Sequence, residues 1–158
     1  MHWLKTVGLL LLLSSGALAS FTLSRFEQKR YRQAEGFLAL LRHIRLQIDC
    51  FSLPVSRILT TLPHKICEEA ALPTNAQNFE ELLANTTLLL PEDMCDLLAA
   101  FGKDLGASYR EDQLRCCDYY ITRFAPHCER IRAELTRRVR LSILLPLALA
   151  LSLVLLLI

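Results

Sequence analysis

The chain has 158 residues, 53% hydrophobic and 22% charged, with a formal net charge of +2 at neutral pH. Its mean hydropathy of +0.31 is high for a soluble protein and low for one that crosses a membrane many times. A charge this close to zero argues against nucleic-acid binding, which needs a cationic face to neutralise phosphates.

The apolar residues are segregated. Residues 24–140 hold 17 of the 18 Lys/Arg and all 16 Asp/Glu, enough chain to bury one modest core. The first apolar stretch, residues 3–23, reads WLKTVGLLLLLSSGALASFTL, with Lys5 as its one charge. Two readings compete for it. One is a transmembrane helix with Trp3 and Phe21 near the two interfaces. The other is a secretory signal peptide, with Lys5 ahead of an apolar core and Ala17-Leu18-Ala19 as a cleavage site before Ser20. The local pattern slightly favours the signal peptide.

The flanking charges favour the membrane helix. Arg25, Lys29, Arg30 and Arg32 follow the first run, and Arg130, Arg132, Arg137, Arg138 and Arg140 precede the last one. Cytoplasmic flanks of membrane helices carry the Lys/Arg excess. The pattern therefore predicts a two-anchor hairpin with residues 24–140 on the cytoplasmic side.

Within that section, Phe37, Leu40, Leu41, Ile44, Ile48 and Phe51 repeat at helical spacing, with Arg42, Arg45 and Asp49 between them. No clear break separates this helix from residues 3–23, and Gly36 inside it costs only modestly. Pro54 opens a short segment ended by Pro63, and a second short helix, residues 64–72, stops before Pro73. Thr74-Asn75 is expected to cap NFEELLANT, with Glu80 and Glu81 favourable in its first turn. Pro91 begins PEDMCDLLAAFGKDLG, which Gly106 ends.

Ser108 and Glu111 form an S-x-x-E capping box for the last helix. Its apolar stripe is Leu114, Cys117, Ile121, Phe124, Cys128, Ile131 and Leu135, and Pro126 predicts a kink near residues 122–123. That helix runs into residues 141–158, whose only polar groups are the hydroxyls of Ser142 and Ser152. At about 1.5 Å per residue these cover roughly 27 Å, close to a bilayer's hydrocarbon core. No segment alternates at period 2. The expected fold is all-α, a small antiparallel bundle of about five or six helices between two terminal transmembrane helices.

Little catalytic chemistry is present. There is no nucleophile constellation, P-loop or H-E-x-x-H. The histidines, His2, His43, His64 and His127, lack ligand spacing, and His127-Cys128 lies about 16 Å along a helix from Cys117, too far to share an ion. Six cysteines occur without a C-x-x-C, and they read as small buried thiols. No catalytic, cofactor or metal residue is assigned. Arg110, Glu111 and Arg115 are candidates for partner contacts.

Phe101, Gly102, Leu105, Gly106, Ser108 and Gln113 match a pattern of the form FGxxLGxSDxxxQ. On these residues the chain resembles the stage III sporulation protein AB family of endospore-forming bacteria. The family's usual Asp falls on Tyr109, and Glu111 and Asp112 lie close by to serve the helix start. The resemblance implies a non-enzymatic scaffold subunit of a secretion-like complex in the mother-cell membrane around the forespore, with a cytoplasmic domain similar to that of the type II secretion F-protein. It also implies the complex's other membrane subunits and its secretion-type ATPase as partners, and no small-molecule substrate. The alternative from the residues alone is an exported, C-terminally anchored domain with disulfides and a cleaved signal peptide.

Overall fold

The computed structural model describes the backbone of residues 2–73, 76–106 and 109–157, and the side chains of residues 25–73, 76–106, 109–138 and 141. Six helices follow in order: α1 (His2–Phe51), α2 (Val55–Thr60), α3 (His64–Ala70), α4 (Phe79–Ala84), α5 (Glu92–Asp104) and α6 (Arg110–Leu157). No strand occurs among the described residues. The chain divides into two compact units, residues 1–28 with 132–158, and residues 29–131.

Among the described residues no helix is long and apolar enough to cross a membrane. The side chains of residues 3–23, and of 141–158 beyond Leu141, lie outside the described residues. In this unit Arg138 donates to the Oε1 of Glu27 at 3.0 Å, and Glu27 is buried.

The core belongs to residues 29–131. On α1, Ala34, Phe37, Leu40, Leu41, Ile44 and Ile48 are buried at steps of three and four, the stripe that helical periodicity requires. Phe51 departs from it and is 65% exposed. The helix ends there, and Ser52 turns the chain away with a φ of 50°. Gly36 also departs from expectation. A Cβ on it would lie 2.5 Å from the Ala70 nitrogen and 2.8 Å from its Cα, so this glycine is what lets α3 approach α1 backbone to backbone.

One turn earlier Gln33 is only 2% exposed. Its amide nitrogen donates to Thr87 O at 2.8 Å and Ala70 O at 3.3 Å, and its Oε1 accepts from the Leu89 backbone N–H at 2.7 Å. The buried amide is thereby satisfied on both sides. It ties the end of α3 and the strap between α4 and α5 to α1.

The short helices are set by their ends. Pro54 sits at the N-cap of α2, its carbonyl accepting from Arg57 and Ile58 N–H at 3.0 and 3.1 Å. Helix α3 stops two residues earlier than its pattern suggested, because Ala71 turns left-handed at φ 55° and Leu72 N–H closes on Cys67 O at 2.8 Å.

The cap of α4 is Asn78, which replaces the expected Thr74-Asn75; those two lie outside the described residues. Glu81 N–H donates to Asn78 Oδ1 at 2.7 Å, while the Glu81 carboxylate accepts from Gln77 N–H at 2.9 Å. This resembles a capping box, except that the return bond comes from the residue before the cap. Asn78 wins because it stands immediately before the first helical residue, where its oxygen reaches the third helical N–H.

Helices α1 and α6 run antiparallel within the unit: Ala34 meets Cys128, Arg45 meets Asp118 and Asp49 meets Arg110. Helices α5 and α6 are antiparallel too, with Asp93 against His127 and Arg130, and Asp104 against Tyr120. Helix α6 continues through Pro126. Cys117, Phe124, Cys128 and Ile131 of its stripe are buried, joined by Tyr120, which the stripe had omitted. Ser108 of the expected capping box lies outside the described residues.

The Asp93 contact carries a pH dependence. Partial burial works to raise this carboxyl's pKa, but the Arg130 hydrogen bond and the His127 and Arg130 charges outweigh it and hold it below the usual carboxylate value. A carboxyl depressed in the folded state stabilises above its unfolded pKa and loses that contribution as pH falls through the folded value. Asp93→Asn should therefore cost at most about 1 kcal/mol at neutral pH, the range of exposed pairs, and nothing in acid. Urea unfolding of both forms at neutral pH and below pH 3 checks this; an equal difference at both would refute it.

Candidate functional site

The family-pattern residues lie where α5 ends and α6 begins. Phe101 is fully buried, packed edge-to-face against Phe79 at 5.0 Å and Tyr120 at 5.4 Å between ring centroids, an arrangement that aligns ring edges with π faces. A Cβ on Gly102 would lie 2.9 Å from Phe79 Cδ1, so Gly102 makes room for that ring. Leu105 N–H closes the helix on Phe101 O at 2.9 Å. Gly106 then takes a φ of 92°, a backbone state that side-chain-bearing residues rarely adopt.

Beyond the turn, Gln113 N–H donates to Tyr109 O at 3.0 Å. Tyr120 OH donates to Asp104 Oδ2 at 2.6 Å, and burial together with that carboxylate raises the phenol's pKa. Arg110 is not a free surface charge. Its guanidinium donates to Ile48 O at 3.3 Å and to Asp49, both at its backbone carbonyl and at Oδ1, the latter at 2.9 Å. At the end of α1 it thereby caps the Asp49 carbonyl and joins the Ser52 N–H on Ile48 O. Arg115 pairs with Asp112 at 2.6 Å, and Glu111 is exposed.

A cavity of about 480 Å³ opens here, lined by Ile48, Ser52, Leu53, Pro54, Val55, Gly106, Arg110 and Gln113. Phe51 and Tyr109, each adjacent in sequence to a lining residue, are exposed, Tyr109 at 88%. Of the pattern residues, Phe101, Gly102 and Leu105 shape the turn, while Gly106 and Gln113 reach the cavity; Ser108 lies outside the described residues.

The basic residues of the two flanks are placed elsewhere. Lys29 and Arg32 line a second cavity of about 650 Å³. Arg138 holds Glu27, Arg25 and Arg30 are engaged in contacts of their own, and Arg137 is exposed. The side chain of Arg140 lies outside the described residues. No group of three or more His, Cys, Asp or Glu with metal-binding geometry occurs among the described residues.

A family model described as stage III sporulation protein AB matches residues 5–158. The chain belongs to that family. No curated protein and no solved structure gives a significant match. The aromatic stack at Phe101 and the positive-φ Gly106 hold the end of α5.

The chain's six cysteines are free, and they are not uniformly buried: Cys117 and Cys128 are, Cys50 is exposed, and the other three are intermediate. Burial pushes the Cys117 and Cys128 thiols up to about 12, and the thiolate is the reactive form. At pH 8 an aromatic disulfide reagent should modify Cys50 first, and Cys117 and Cys128 only after denaturation. Peptide mass mapping over time tests the order; early modification of Cys117 would contradict it.

Sequence reading missed Gln33, Gly36 and Tyr120 as fold-determining positions. Gln33 had a signal, being polar at a stripe position four residues before Phe37. Gly36 had none, since a close approach depends on a partner, Ala70, remote in sequence.

Proposed function

We propose that this stage III sporulation protein is a non-enzymatic scaffold subunit of a secretion-like complex in the mother-cell membrane around the forespore. Helices in residues 3–23 and 141–158 anchor it, and residues 24–140 lie on the cytoplasmic side. Its partners are the complex's other membrane subunits and its secretion-type ATPase. The observation that carries this reading is the family match, which from residue 5 to 158 takes in nearly all of the first apolar run, the whole of the last, and the domain between them. The nine flanking cations support the orientation. The exposed Phe51 and Tyr109 beside the α5–α6 cavity support a contact surface there, since solvent-facing aromatics are enriched at interfaces.

Two measurements test the reading. Recovery of the membrane-embedded protein from sporulating cells should bring with it an ATPase and further sporulation membrane subunits. If neither appears, the scaffold role is lost. A membrane-impermeant maleimide should reach the exposed Cys50 only from the cytoplasmic side. Labelling from the opposite side alone would reverse the topology, and a mature chain starting at Ser20 would remove the first anchor.

A further inference from the structure

The cavity at Lys29 and Arg32 is built by more than the charged flank of an apolar run. On α1 these two cations stand three residues apart, on one face of the helix. Both are exposed, and neither has an ion-pair partner among the described residues. Helix α3, remote in sequence, brings a third cation, Lys65, into the same lining. Between them lies Gln33, whose side-chain amide is locked by Ala70, Thr87 and Leu89. The cavity therefore has a fixed polar floor and cations on two walls.

Two carboxylates, Glu68 and Glu69, also line it. Each has a nitrogen partner on its own helix: Glu69 meets the Lys65 ammonium at 3.9 Å, and Glu68 meets the His64 ring at 3.9 Å. The Lys65 side chain is 82% exposed. Exposed pairs of this kind are weak, so Lys65 can turn toward a stronger anion.

Lys29 and Arg32 follow the first apolar run by six and nine residues. Basic residues just beyond a membrane segment meet the negative potential of anionic lipids, and a phosphodiester accepts hydrogen bonds from Lys and Arg together. We propose that this cavity binds the headgroups of anionic phospholipids, with Lys29, Arg32 and Lys65 holding the phosphate. The inference rests on the membrane-anchored reading above.

The test uses the full chain reconstituted in nanodiscs of phosphatidylcholine, with or without phosphatidylglycerol, and amine-reactive labelling read by mass spectrometry. Lys29 and Lys65 should label about fivefold more slowly in the anionic discs, the effect of one cation near an anionic surface. Lys103 on α5 should label equally in both. High salt should abolish the protection. Lys65→Glu, with its far-UV spectrum unchanged, should return Lys29 toward its rate in phosphatidylcholine. Equal labelling of Lys29 in both discs, with the chain embedded, overturns the headgroup site and leaves the anchors standing. Equal protection from soluble glycerol phosphate in phosphatidylcholine discs would make it a site for free anions and overturn the lipid assignment. A chain that fails to stay in the discs overturns both readings.

Discussion

Phe101→Ala should lower the stability of the folded chain by about 3–5 kcal/mol, the cost of removing a fully buried aromatic side chain. The ring is fully buried and touches two others edge-to-face, Phe79 on α4 and Tyr120 on α6. Its removal leaves a cavity where three helices meet, and the lost aromatic contacts add to the lost burial. Collapse into the space is limited. Tyr120 is held by its hydrogen bond to Asp104, and Phe79 follows directly on the Asn78 cap. Urea unfolding of the detergent-solubilised protein, followed by far-UV circular dichroism, measures the loss. Phe101→Leu should recover part of it by refilling volume. A loss below about 1 kcal/mol for the alanine variant would mean that the site relaxes freely, contrary to this packing.

Gly36→Ala should destabilise the protein by about 1–3 kcal/mol, the range for overpacking. Helix propensity alone predicts the opposite sign, a gain of about 1 kcal/mol from replacing an interior glycine. The contact decides between the two effects. The added carbon would stand 2.5 Å from a backbone nitrogen and 2.8 Å from a backbone Cα of Ala70. Backbone cannot swing aside as a flexible side chain can, so α3 must move as a unit. That movement strains the Gln33 hydrogen bond to Ala70 O as well. Truncating Ala70 to glycine should not rescue the variant, because the nearest atom remains. The same unfolding experiment reads the sign, and stabilisation would show that α1 and α3 stand further apart.

The two substitutions fall on opposite sides of what could be read from the chain. Phe101 belongs to the local pattern that first suggested the family, and its place near the end of α5 followed from Pro91, the first-turn acids and Gly106. Gly106 was legible as a helix stop because a positive φ is a local requirement. Gly36 was legible only as a mild weakness, since the neighbour that requires it lies 34 residues further along the chain. The intramolecular partners of Arg110 were hidden for the same reason. Arg110 looks like a solvated charge in sequence, and only the antiparallel pairing of α1 with α6 brings it to the carbonyls of Ile48 and Asp49.

By itself the sequence determined the all-α class, the order of the helices, most of the buried stripes on α1 and α6, and the family. These depend on periodicity, on caps and breakers, and on a short motif, all of which act over a few residues. Tertiary structure alone decided which polar residues are buried and satisfied, where Gly36 is indispensable, and that Lys65 shares a cavity with Lys29 and Arg32. Each of those facts is a relation between segments far apart in the chain. Such relations exist only once helices have packed, because the energy of a contact belongs to the pair and not to either residue.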